Sequence, residues 1–212
     1  MKPKTLLFLL ATLFVSHSAR SAPFTWDITA GTVTINTASG VTANQLTFNS
    51  TGYIVSGNVP ATDVLTLAGS TPTIKVTSTG HSATISANIA GSDGLTKSGA
   101  GALALTGTIS TVDSTSITEG ALRVGSALSL NSNLVLNGGV FSPGTSFTRT
   151  LGTAGNQVKF TGSGGFWAFG EDKTARFGSS TSTVMTWAST ANFLGDGHSF
   201  ILSHETATPE AA

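Results

Sequence analysis

The feature that most constrains the fold of this chain is a run of short apolar dyads, in which two apolar residues flank one central residue. After residue 22 the dyads are Val33-Thr34-Ile35, Leu46-Thr47-Phe48, Leu65-Thr66-Leu67, Ile74-Lys75-Val76, Leu103-Ala104-Leu105, Leu122-Arg123-Val124, Leu128-Ser129-Leu130 and Leu134-Val135-Leu136. Alternation with a period of two places the apolar pair on one face of a β-strand and the central residue on the other. The pattern therefore predicts many short strands.

Turn signals separate these strands, for example GSDG at 91–94, GAG at 99–101 and NGG at 137–139. Many short strands at steady spacing are typical of a sandwich, a barrel or a solenoid. Inward-facing aromatic residues, which a sandwich usually carries, are rare before residue 141. This favours a parallel β-solenoid. An antiparallel β-sandwich stays open as the alternative, because short dyads do not report strand direction.

The composition fits a folded chain with an uncharged polar surface. Hydrophobic residues make up 39% of the sequence and charged residues only 9%, with a formal net charge of zero. The absence of Cys excludes disulfides and cysteine metal sites. The basic residues are scattered, so the sequence predicts no nucleic-acid partner.

The first 22 residues have the layout of a secretory signal peptide. A basic start with Lys2 and Lys4 precedes the apolar run 5–15, and small residues follow to Ala22. The apolar run is too short to span a bilayer. We predict cleavage within 18–22, after Ala19, Ser21 or Ala22, and hence export.

One segment resembles a known family repeat. Residues 94–107 read GLTKSGAGALALTG and residues 119–125 read EGALRVG. They resemble the start and the end of the autotransporter-associated β-strand repeat, so 94–125 looks like one complete unit. The middle departs from the family pattern, because ISTVD at 109–113 replaces the usual aromatic segment. The resemblance implies a right-handed parallel β-helix in a secreted or surface-displayed passenger of a Gram-negative bacterium.

Within this repeat we expect five apolar residues to face the core: Leu95, Leu103, Leu105, Leu122 and Val124. Gly99 and Gly101 should allow tight corners. Lys97 and Glu119 should lie outside in solvent, where they could form a weak ion pair between neighbouring coils.

Residue composition and pattern divide the chain into a signal peptide (1–22), a β-helix (23–140) and an aromatic-richer β region (141–212). We expect the last region to continue the solenoid. The aromatic residues of that region are interpreted mainly as core fillers. A carbohydrate-stacking or partner-docking platform is the alternative. The sequence shows no clear polar cap at the end of the solenoid, so we expect the chain to be a fragment of a longer passenger or a truncated gene product.

No residue pattern predicts catalysis, a cofactor or a metal site. Glu171 and Asp172 are the only close acidic pair, and adjacent strand residues would face opposite sides. Asp196-Gly197-His198 reads as an ordinary turn, while His81 and His204 stand alone.

The sequence therefore predicts a non-catalytic, adhesin-like passenger segment, exported to the cell surface and associated with the outer membrane. An extracellular polysaccharide-binding or polysaccharide-degrading β-helix is the alternative. The expected partner is an unknown surface or carbohydrate ligand. A translocator barrel would belong to a longer chain or be absent, and exposed strand edges predict end-to-end self-association.

Overall fold

The computed structural model describes residues 23–26, 30–37, 39–111, 113–125, 132–178 and 184–204. The predicted signal peptide and the dyad at 128–130 lie outside these ranges. In chain order the strands are β1 (Pro23–Trp26), β2 (Thr32–Ile35), β3 (Val41–Ala43), β4 (Gln45–Phe48), β5 (Tyr53–Gly57), β6 (Leu65–Leu67), β7 (Thr73–Val76), β8 (Ser82–Ile85), β9 (Ile89–Gly91), β10 (Leu95–Ser98), β11 (Ala102–Leu105), β12 (Ile109–Thr111), β13 (Thr115–Ile117), β14 (Ala121–Val124), β15 (Leu134–Leu136), β16 (Val140–Ser142), β17 (Phe147–Arg149), β18 (Val158–Phe160), β19 (Gly164–Phe166), β20 (Ala175–Phe177) and β21 (Phe200–Leu202).

The strands stack into the faces of a coil. Sheet A has the order β1-β4-β7-β10-β13-β15-β18, and sheet B has the order β2-β5-β8-β11-β14-β16-β19-β21. The third face consists of sheet C (β12-β9-β6-β3) and then the pair β17-β20. The chain visits A, B and the third face in turn, except that the described residues include no third-face strand between β14 and β15 and no sheet A strand between β20 and β21.

Every strand pairing in the described part of the chain is parallel. Paired residues in sheet A lie between 19 positions apart (Ile117 and Leu136) and 28 positions apart (Leu46 and Ile74). The predicted all-β parallel solenoid is confirmed, and the antiparallel sandwich is excluded for these residues. The right-handed sense of the coil and the domain division at residue 140 stay predictions.

The dyads form columns of side chains inside the coil. In sheet B one column runs through Tyr53, Ala83, Leu103, Leu122, Phe141 and Phe166. All six residues are buried in one continuous core. The five residues of the 94–125 segment that were expected to face the core are each at most 3% exposed. Burial of such apolar side chains stabilises a fold by roughly 1.5–3 kcal/mol each.

Glycine forms the corner between sheets A and B. Gly99 has a φ of +74°, and a Cβ there would lie 2.2 Å from the carbonyl oxygen of Val76 on the preceding rung. A Cβ on Gly101 would lie 2.5 Å from the Val76 side chain. Both predicted corner glycines are therefore confirmed, because any larger residue would push the rungs apart.

Candidate functional site

The prediction that Lys97 lies in solvent is wrong. Its side chain is 0% exposed, and it occupies a core column of sheet A between Ile74 and Ile117. The alternation that buries Leu95 also buries Lys97, two positions later, so the sequence pattern could have predicted the burial of Lys97. A positive charge favours an exposed position, but a buried ammonium is tolerated when carbonyl groups satisfy it.

Three backbone carbonyls surround the Lys97 ammonium. Nζ donates to Ser98 O at 2.9 Å, Gly99 O at 2.7 Å and Glu119 O at 3.1 Å. The first two belong to the corner that follows β10, and the third belongs to the same corner one rung later. Lys97 therefore ties two successive corners together from inside the core.

The electrostatics of Lys97 follow from this burial. Desolvation lowers the pKa of Lys97 from 10.5 to about 7, and the negative charge of Glu119 opposes that shift. The Glu119 side chain is exposed, as expected. The expected ion pair takes a different form, because Nζ bonds the backbone carbonyl of Glu119.

Most aromatic residues described after position 140 fill the end of the core, as the main interpretation predicted, whereas Trp167, Phe169 and Trp187 do not. Phe141, Phe147, Phe160 and Phe166 are buried, and their rings contact one another or neighbouring rings at centroid distances such as 5.1 Å for Phe147 and Phe166. Phe160 also contacts Phe193 at 5.3 Å, which links this cluster to the last described segment.

Residues 184–199, which we call the cap, connect β20 to β21 and pack against this end of the aromatic core. Leu194 of the cap is 0% exposed. The Asn192 carbonyl accepts the N–H of Phe160 at 2.9 Å, and this bond occupies a backbone group at the edge of β18. Asn192 has a φ of +62°, in the left-handed region, which the local sequence pattern does not predict.

One cap residue is exposed despite its size. The Trp187 side chain is 47% exposed, while its indole Nε1 donates to the His198 carbonyl at 3.0 Å. Its ring meets Phe193 edge to face at 5.6 Å. Val184, three positions earlier, is 81% exposed. The cap therefore presents a fixed aromatic ring at the surface.

A second apolar cluster covers the outer face of sheet B. Ala102, Ala121 and Val140 stack there on successive rungs under the nearly buried Trp167. Ile201 packs on the same cluster. The guanidinium of Arg123 lies 3.7 Å above the Phe169 ring beside it.

Residues 201–204, the strap, cross the outer face of sheet B. His204 Nε2 lies 3.1 Å from the Ala100 carbonyl, and the imidazole ring is 5.9 Å from Trp167. An open groove of about 570 Å³ lies between the strap and the corners at Ala100, Gly120 and Gly138. Trp167 was interpreted as a core filler, but it serves this outer cluster.

The other candidate polar residues lie in three different connections between strands. Glu171 and Asp172 are exposed in the connection between β19 and β20, so the expectation that they face opposite sides of a strand is wrong. Lys173 bonds Glu171 and lowers the pKa of that carboxyl group. Asp196 and Gly197 form the expected turn, in which Gly197 N–H donates to the Asp196 carboxylate at 3.0 Å. His81 lies in the turn between β7 and β8.

The described residues hold no group of three His, Cys, Asp or Glu side chains placed to bind a metal ion. In that part of the chain there is also no helix with the length and hydropathy that a membrane crossing requires.

Comparison with known proteins gives one informative match. Over 141 residues, 64% of this chain, the sequence is 40% identical to the adhesin BmaC autotransporter of Brucella suis biovar 1 (strain 1330). The chain is related to an autotransporter adhesin. It spans only 4% of that protein's length. No family profile and no solved structure matches the chain.

Proposed function

We propose that this chain is part of a surface-displayed, adhesin-like autotransporter passenger of a Gram-negative bacterium. The observation that carries the proposal is the 40% identity to a protein named as an adhesin and an autotransporter. The parallel solenoid supports it, because stacked rungs make an extended scaffold with a large surface for its mass.

The same proposal covers the repeat at residues 94–125. This segment begins just before β10 and ends just after β14, so it provides one full circuit plus the next strands of sheets A and B. Its distinctive residues have structural roles in this fold: Lys97 bonds two corners, and Gly99 and Gly120 make those corners. We infer that the segment is an autotransporter-associated β-strand repeat.

Attachment rather than catalysis fits the surface of the rod. The outward strand positions of sheet A include Thr73, Thr96 and Ser116, which are aligned on successive rungs. Each of these short hydroxyl side chains can both donate and accept a hydrogen bond, which suits a surface that contacts ligands.

An antibody against residues 94–125 tests the display proposal in the native bacterium. We expect intact cells to bind the antibody, and added protease to remove the signal without lysis. A parallel blot of cell fractions should place the protein in the outer membrane fraction or the medium. Detection in the cytoplasm alone would contradict the proposal.

Adhesion is tested separately with the same strain. Deleting the gene should reduce attachment to host cells, and supplying it on a plasmid should restore attachment. If the parent strain displays the protein and the deletion strain still attaches normally, the adhesion part of the proposal is contradicted and the display part is not.

A further inference from the structure

We propose that Trp187 in the cap forms a binding platform for a neutral carbohydrate, with a pyranose ring stacked on the exposed face of the indole. This inference goes beyond surface display, and it holds for the folded chain whether or not the chain is displayed. It starts from the position of Trp187 at the outer end of the aromatic cluster. Phe193 links Trp187 to the buried Phe160, with ring centroids 5.6 Å and 5.3 Å apart.

The ring is held in place before any ligand arrives. The backbone on either side of Trp187 is held by two hydrogen bonds. Thr186 N–H donates to Thr190 Oγ1 at 2.8 Å. Ala188 N–H donates to Leu194 O at 2.8 Å. The indole N–H is bonded to His198 O. A fixed side chain loses little conformational entropy on binding, so this ring is preorganised.

The chemistry of the exposed surface selects the ligand. Because the only donor of the indole is already used, the free part of the ring offers a flat π face. A pyranose has one face lined with C–H groups and a rim of hydroxyls, so it matches a flat aromatic face surrounded by polar groups. His198, whose carbonyl accepts the indole N–H, is exposed and supplies such a polar group next to the ring, and Asp196 is exposed two residues before it.

Charge favours a neutral sugar over an acidic one. Within residues 184–204 the only Asp, Glu, Lys or Arg side chain is that of Asp196. An anionic polymer would find no Lys or Arg within this segment and would be repelled by this carboxylate. A protein partner is less suited, because a stable interface needs roughly 800 Å² on each side, and the large exposed apolar residues of the cap are Trp187 and Val184.

The test is a titration of the full, folded chain with cellotetraose and with chitotetraose, two neutral probes, followed by NMR of the indole N–H groups. A single platform should bind with a dissociation constant of about 1 mM. We expect the Trp187 signal to shift in a saturable way with at least one probe. Trp187→Ala should weaken binding by about tenfold or more, since truncating a central aromatic anchor has effects of that size.

Two further variants protect the test against misfolding. Trp187→Phe keeps an aromatic contact with Phe193 and should bind with intermediate affinity. Trp167→Phe alters a buried ring on sheet B and should bind like the wild type. The proposal falls if neither probe shifts the Trp187 signal at about 10 mM, or if Trp187→Ala binds as tightly as the wild type. It also falls if tetragalacturonate, an acidic probe, binds equally well. None of these results bears on surface display.

Discussion

Lys97 occupies an inward position of the strand alternation and yet has an ionisable side chain in the core. Its methylene stem fills a column position between Ile74 and Ile117. Its ammonium then reaches three carbonyls that the glycine corners direct inward. A buried cation is retained only where such partners exist, because desolvation without them costs several kcal/mol.

The depressed pKa of Lys97 predicts a specific pH dependence of stability. Because its folded pKa is about 7 and its ordinary value is 10.5, the unfolded chain binds more protons between these values. The free energy of unfolding should therefore rise as pH increases from 7 to 10.5, by on the order of a few kcal/mol from this residue. Urea unfolding at several pH values measures the slope.

Lys97→Met isolates that contribution. The variant should lose the part of the slope that Lys97 supplies. At pH 7 it should also be less stable by about 1–3 kcal/mol, because buried carbonyls lose their donor. Lys75→Met is the matched control: Lys75 is exposed on the neighbouring rung, so its replacement should change stability by less than about 0.5 kcal/mol. Equal slopes in Lys97→Met and the wild type would contradict the assignment.

At the scale of the element, the glycine corner sets how closely successive rungs approach. A Cβ on Gly120 would meet the Gly99 carbonyl at 2.5 Å, just as a Cβ on Gly99 would meet Val76. Corners on three successive rungs thus stack backbone on backbone. We infer that glycine occupies positions 99 and 101 mainly because the backbones of neighbouring rungs lie too close for a Cβ, and less because of the turn conformation.

A pair of glycine substitutions separates contact from conformation. Gly99→Ala and Gly80→Ala both place alanine at a φ near +80°, but a Cβ on Gly80 would meet nothing within 4 Å. Gly80→Ala should cost about 1–2 kcal/mol from backbone strain. Gly99→Ala should cost at least about 2 kcal/mol more, because its Cβ forces the rungs apart. Thermal and urea unfolding compare the two, and equal losses would show that only φ matters.

At the scale of the whole molecule, the solenoid is a linear stack in which each rung contacts its neighbours. The cap and the strap are exceptions, since the strap joins β19 to the corner at Ala100 on a rung three strands away in sheet B. Stability should thus be distributed along the stack, with tighter coupling where the strap crosses it.

Hydrogen exchange can map this distribution. We expect Gly99→Ala to increase amide exchange most in residues 73–125, which hold the substituted rung and its neighbours. Exchange in the first rungs, 32–57, should increase less, because the effect must pass through intervening rungs. A uniform increase along the chain would instead show that the solenoid opens as one cooperative unit.

End-to-end self-association stays a prediction at this scale. The bond between Asn192 and Phe160 occupies part of the edge of β18, while Leu202 in the last strand of sheet B is 71% exposed. If chains associate through that edge, sedimentation velocity should show concentration-dependent oligomers, and Leu202→Lys should reduce them. A monomer at every concentration would contradict the prediction.

The sequence by itself determined the strands, the core dyads and the corner glycines, because alternation and positive φ are local properties of a few residues. Tertiary structure decided the rest. Lys97 is buried because a carbonyl 22 positions later completes its hydrogen bonds. Trp187 and Trp167 differ in exposure because the cap and strap fold back over distant rungs. Such contacts depend on which rungs become neighbours, and short periodic strands leave that register open until the coil is formed.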